Sequence, residues 1–340
     1  MSLILGILDS GGGAAAPTTS TAIAVASFDS PYIQAYPWSP GFGTKYANPV
    51  SGPPGQGNDV TFTTASDFIA IAISASPNIN VWPWSAGFGT KYANPATLPT
   101  GNGFGVKFTP TGNAIAVAHA TSPFISVYPW SAGFGAKYAN PATLPASNGN
   151  KVNFTASGNA IAVAHDSAPW VTAYPWSAGF GTKYSDPATT PGSRGLNVTF
   201  KPQNDVIAVA TEASPFVTAY PWSAGFGTKY ANPATLPTNE SNGVRFTASG
   251  NAIGVSHYTS PFITTYPWSA GFGTKYANPA TLPPSQGRNM DFSKNGDSIA
   301  IVCNATPWVV AYPWSAGFGT KYADPGVVPG GTAGLGVAFN

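Results

Sequence analysis

The chain has 340 residues and a formal net charge of +2, and only 8% of its residues are Asp, Glu, Lys or Arg, against roughly a quarter in an ordinary soluble domain. With no basic run and no acidic tail, electrostatic attraction to nucleic acid or an anionic membrane has nothing to act through. The single cysteine, Cys303, excludes an intramolecular disulfide, so packing must hold the fold.

The chain opens on "MSLILGIL". Leu3, Ile4, Leu5, Ile7 and Leu8 make it apolar, but it lacks a basic flank and is too short to span a bilayer, so neither a signal peptide nor a membrane span is expected. "DSGGGAAAPTTS" follows as a flexible linker. An apolar tag exposed in water is a liability, and docking into a groove or sheet edge of another subunit resolves it. Residues 1–20 are therefore expected to be an anchoring arm, and 21–340 the folded body.

From there the sequence repeats. A Trp preceded by Pro stands at Trp38, Trp84, Trp130, Trp176, Trp222, Trp268 and Trp314, always 46 residues apart. "YPWSAGFGTKYANPATLP" occurs letter for letter at 220–237 and 266–283. A strict period of this size in a Gly/Pro-punctuated, aromatic and β-branched chain is that of a propeller blade; a helical repeat would not tolerate so many Gly and Pro. Within 243–280 four strand-like runs alternate with turn signals: "GVRFT", "AIGVSH", "FITTYPW" and "TKYANP". They are strands a to d, counted outward from the axis. Strand b alternates Ala with Ile or Val, giving one small and one branched face for close blade packing. The first unit begins at strand b (21–27), whereas the chain finishes on "GLGVAFN" (334–340), a strand a with nothing after it. The expected fold is all-β: seven four-stranded blades, closed by the C-terminal strand completing the first.

The "GVRFTASGNAIGVSH" hairpin feeding an aromatic strand c resembles the WD40 and YVTN-type β-propellers over 21–340, with "PW" standing where WD40 repeats carry "WD". The resemblance implies a seven-bladed propeller. The layout of arm plus globular head also looks similar to virion structural proteins of bacteriophages, which implies a capsid or tail location.

Seven lysines, from Lys45 to Lys321, each follow a blade Trp by seven residues. On an outer edge, Lys and Pro protect against edge-to-edge pairing; the competing reading is a lectin with about seven equivalent sites built from Trp, Tyr and Lys. Differences between copies gather in the b–c and d–a loops, on one face. Tyr32, Phe124, Trp170, Phe216, Phe262 and Trp308 follow the b–c proline there and are the candidate recognition rim, able to stack on a sugar or anchor a protein. His119, His165, His257 and Cys303 share one repeat position but sit on blades that are not all adjacent, so no metal site is expected. The acids lack repeat register, and there is neither a nucleophile elbow nor a phosphate-cradling loop. No catalytic residue and no cofactor is expected. The reading is a non-enzymatic propeller in a virion, anchored to other structural subunits and offering one face to a cell-surface glycan or protein. The alternatives are the multivalent lectin and an intracellular WD40-like scaffold.

Overall fold

The structure is a computed structural model that describes residues 20–340; the expected anchoring residues Leu3 to Leu8 lie outside them. Among the described residues there are only strands and turns, arranged as seven three-stranded antiparallel sheets in a seven-fold β-propeller. The inner strands are β3 (Gly57–Phe62), β6 (Gly103–Phe108), β9 (Gly149–Phe154), β12 (Gly195–Phe200), β15 (Ser241–Phe246), β18 (Gly287–Phe292) and β21 (Gly334–Phe339). Sheet one is assembled from both ends of the described chain: β21 pairs with β1 (Ala22–Ser27), which pairs with β2 (Ile33–Pro37). β21 also lies beside β18 and β3. The Asn340 side-chain oxygen accepts from the Thr21 and Ala22 amides, each at 2.8 Å, so the two ends are clasped.

The expected fourth strand does not form a ladder. After each Trp the chain makes one isolated bridge, such as Trp222 to Phe226, and one further backbone bond, Tyr230 N to Ala219 O at 2.9 Å. Pro233 has no N–H to donate, and Lys229 turns back on its own segment, donating to the Tyr230 carbonyl at 3.3 Å and to Asn232 Oδ1 at 2.5 Å. The lysines thus fasten an irregular outer segment.

Packing occurs between sheets rather than within them. Ala160, Ala162 and Ala164 present a small face to Val198, Phe200, Ile207, Val209, Tyr220 and Trp222 of the next sheet. Six equivalent clusters follow, the last joining sheet seven to sheet one. Strand b alternation has this consequence: Ala on one side makes room for branched and aromatic side chains on the other. The repeated "YPW…GF…KY" letters build the outer part of each core. Trp222 meets Tyr184, Phe200 and Phe226 edge to face, with centroids 5.0–5.2 Å apart, a favoured aromatic geometry. Tyr220 sends its hydroxyl to the Thr189 carbonyl at 2.9 Å. The seven tryptophans are only 4–6% exposed, so no ring face is free to stack on a sugar, and the copied motif is a building block.

Candidate functional site

The inner strands leave a central channel, and its two mouths differ. Every inner strand carries a β-bulge at its start: opposite β4 (Phe68–Ile73), for instance, Gly57 pairs with Ile73 and Asp59 with Ala72, leaving Asn58 unpaired. The same shift recurs in all seven sheets. Bulges re-aim a side chain, and they are common near functional sites. The seven bulge residues are Leu335, Asn58, Phe104, Asn150, Leu196, Asn242 and Arg288, and all of them line one cavity of about 300 Å³. The glycine preceding most of them is required by close approach: a Cβ on Gly149 would stand 2.4 Å from the Phe124 carbonyl oxygen of the neighbouring sheet.

Outside the bulge residues lies a second ring, the residue just after each middle strand, which is again different from sheet to sheet: Ser74, Asp166, Glu212, Tyr258 and Asn304 among them. The two rings are hydrogen-bonded together. Asn58 Nδ2 donates to Ser74 Oγ at 2.7 Å and to the Gly103 carbonyl at 2.6 Å. Asn150 Nδ2 donates to Asp166 Oδ1 at 2.6 Å and to the Gly195 carbonyl at 2.8 Å. Arg194 Nε pairs with Asp166 at 2.5 Å, while Arg288 donates to Asn304 Oδ1 at 3.0 Å and lies 5.7 Å from the centre of the Tyr258 ring. Glu240 lies just outside the lining residues, its backbone carbonyl accepting from the Tyr258 amide at 2.9 Å; its carboxyl is pushed above the usual range, first by burial and then by Glu212.

The floor is a buried ion pair. Lys151 Nζ reaches Asp59 Oδ1 at 3.0 Å and also donates to the Asn58 and Phe104 carbonyls. Asp59 further accepts from the Val106 amide at 3.1 Å. Lys151 belongs to sheet four and Asp59 to sheet two, so the lysine crosses sheet three, where Gly105 leaves the space; a Cβ there would lie 2.8 Å from Lys151 Cα. The resulting mouth is amide-rich, holds apolar Phe104, Leu196 and Leu335, and has arginines and carboxylates at its edge. Such a lining can hydrogen-bond several hydroxyls while stacking on an apolar ring face.

The residues singled out from sequence occupy other places. Tyr32, Phe124, Trp170, Phe216, Phe262 and Trp308 are half-buried, one per sheet, at left-handed φ of 64–69°. Each caps a turn: Phe124 N–H donates to the Thr121 carbonyl, and the Phe124 carbonyl accepts from His119 N. The structure spreads them around the propeller and does not gather them, and none lines this cavity. His119, His165 and His257 are fully buried, each with Nε2 within 3.0 Å of a Ser or Thr hydroxyl on the outer strand. Cys303 is buried as well, and among the described residues no cluster of His, Cys, Asp or Glu could hold a metal ion. No helix among them is long and apolar enough to cross a membrane. The bulge ring and the Asp59–Lys151 floor were missed from sequence. Their signal was there, however: the residues flanking the strand-a Val differ in kind between copies that are otherwise alike.

No protein-family profile matches the chain, and no curated protein matches it. Solved structures do. A protein from Bacteroides uniformis described as a "putative 6-phosphogluconolactonase" is similar with a TM-score of 0.71 and 16% identity, over 95% of this chain and 100% of that one. A protein from Lactobacillus plantarum is similar with a TM-score of 0.72 and 16% identity, over 94% and 99% of the two chains. A second "putative 6-phosphogluconolactonase", from Bacteroides fragilis, has a TM-score of 0.64 and 13% identity, over 95% and 98%. At such identities the likeness establishes the fold alone. The expectation that the chain is not an enzyme is corrected by these neighbours, because two of them, alike in fold, are described as "putative 6-phosphogluconolactonase". The missing motif excluded nothing: a propeller assembles its mouth from seven separate inner strands, so a catalytic set need not be contiguous.

Proposed function

We propose that the chain binds one polyhydroxylated small molecule, of the sugar or sugar-acid class, in the bulge-lined mouth. The observation that carries this reading is where the copies differ. Seven units that share their Trp, Gly-Phe-Gly and Lys-Tyr letters carry Asn, Leu, Phe or Arg at the bulge position, and all seven bulge residues, with Asp166 from the ring behind them, line one cavity. Seven equal sites would keep the same residue in every unit; a single site lets the units contribute different ones. Asn58, Asn150 and Asn242 suit sugar hydroxyls, Phe104 an apolar ring face, and Arg288 a carboxylate or phosphate.

The mouth and its edge also hold parts suited to opening a sugar lactone. A carboxylate with a raised pKa, Glu240, suits a general base that takes a proton from water. Arg194 or Arg288 suits the negative charge that gathers on the carbonyl oxygen as water adds and the ring C–O bond breaks. The names of the two Bacteroides proteins point to the same substrate class.

Isothermal titration with gluconate, 6-phosphogluconate and glucose tests the reading. Binding of one molecule per chain, weakened at least about 10-fold by Arg288→Gln, is expected. A stoichiometry near seven, or a titration that is flat for all three compounds, would overturn it. Opening of glucono-δ-lactone followed by pH-stat, compared between wild type and Glu240→Gln, tests the hydrolytic step; equal rates would remove Glu240 from it.

A further inference from the structure

The opposite mouth of the channel has a different chemistry. There the inner strands end on seven phenylalanines, from Phe62 to Phe339, only 3–7% exposed, which rim a vestibule of about 410 Å³. Between the strand-a Val and Phe of each sheet stands a residue that faces this space, and three of the seven are charged: Lys107, Arg245 and Asp291. Lys294 joins them from the turn after β18. Three cations thus share the vestibule with one carboxylate.

Their partners do not balance. Asp291 spends Oδ2 on the Phe339 amide at 3.0 Å and has Arg245 Nε only at 3.8 Å. Arg245 is held from the side by Asn197 Oδ1 and the Val244 carbonyl, through Nη1 alone. Lys294 Nζ is taken up by the Thr64 carbonyl at 2.8 Å and Ser66 Oγ at 3.0 Å. Lys107 has no hydrogen-bond or ion-pair partner among the described residues. Enclosure, and after it the Arg245 guanidinium, hold its ammonium below the ordinary lysine value. A half-buried cation without a protein acceptor is open to a ligand's anionic group, and here it faces the vestibule beside a guanidinium with donors to spare and a rim of phenylalanines.

We infer that this vestibule is a second ligand site, which takes a small organic carboxylate with an apolar body: the carboxylate bridges Lys107 and Arg245 while the body rests within the phenylalanine rim. The Phe rim argues against a bare inorganic anion, which would gain nothing from it. Cations outnumber carboxylates in the lining, Lys107, Arg245 and Lys294 against Asp291, which argues against a cationic ligand. This site lies beyond the Asp59–Lys151 floor and is independent of the sugar-binding reading.

Calorimetric titration of the full chain with benzoate, benzamide and inorganic phosphate tests it, beside the variants Lys107→Met, Lys107→Arg and Arg288→Gln. Benzoate is expected to bind at one site per chain, with benzamide at least about 10-fold weaker because it lacks the charge. Lys107→Met should lose benzoate by a similar factor and Lys107→Arg should keep it, while Arg288→Gln in the other mouth changes nothing. Lys107→Met removes a partnerless cation, so its thermal midpoint should not fall, which separates lost binding from lost folding. Benzoate binding that survives Lys107→Met, or that is lost with Arg288→Gln, would overturn the assignment. So would phosphate binding more tightly than benzoate, or no binding of any of the three compounds at 10-fold molar excess over millimolar protein, roughly the limit for a useful site.

Discussion

Acid should destabilise this protein through three histidines that never touch the channel. His119, His165 and His257 are 0% exposed. Each ring is held by a hydroxyl from the outer strand: Ser126 at 3.0 Å, Thr172 at 2.8 Å and Thr264 at 2.9 Å. Burial pulls each pKa from 6.5 down to about 4. A depressed pKa on a base means that the folded state prefers the neutral ring and the unfolded chain takes the proton first. Stability is therefore complete above about pH 6.5 and is lost as the pH falls toward 4. Two and a half units at about 1.4 kcal/mol each give about 3.5 kcal/mol per histidine, or about 10 kcal/mol for three independent sites. The control is provided by the repeat itself, since Thr211 fills the same position in sheet five. Urea unfolding at pH 7 and pH 4 should show wild type losing several kcal/mol more than the triple variant His119→Thr, His165→Thr, His257→Thr. Carboxylate protonation is common to both proteins and cancels. If the acid-induced losses agree to within about 1 kcal/mol, the histidines are not the acid-sensitive groups and the reasoning fails.

Other perturbations have directions that follow from the same contacts. Lys151→Met should cost about 3–5 kcal/mol in urea unfolding, because Asp59 stays buried without its cation; the double variant with Asp59→Leu should recover most of that. Trp222→Leu removes a side chain caged by three aromatic rings and should cost about 3 kcal/mol, whereas Tyr220→Phe, which loses only the bond to the Thr189 carbonyl, should cost about 1 kcal/mol. Lys229→Met should change the thermal midpoint by little, since its ammonium is partly exposed and holds a loop rather than the core.

Periodicity in the sequence was sufficient to establish seven blades, because a 46-residue unit with a fixed Trp cannot bury its own apolar faces and must stack on copies of itself. Strand b alternation, legible as "AIAVA", fixed which face is small and which is branched, and the inter-sheet cores follow it residue by residue. The pairing of "GLGVAFN" with β1 was legible too, as a strand missing at one end of the chain and left over at the other. A fourth ladder was not formed: "TKYANP" has strand-like letters, but its proline and its lysine-bound turn leave too few amides to pair.

The sites were a different matter. Conspicuous letters, the aromatics after the b–c proline and the His/Cys position, turned out to cap turns and cross-link strands, because a large side chain next to a turn is most easily half-buried there. The unremarked ones form the mouths: Asn58, Asn150 and Arg288 at the bulges, Asp59 and Lys151 on the floor, Lys107, Arg245 and Asp291 below. Read along the chain they keep the 46-residue register but change in kind from copy to copy, so they look like ordinary variation between repeats. Local order depends on neighbours along the chain, so the sequence by itself decided blades, strands and packing faces. A channel site depends on which side chains seven separate strands bring to one axis, and only the arrangement of those strands in space could decide that.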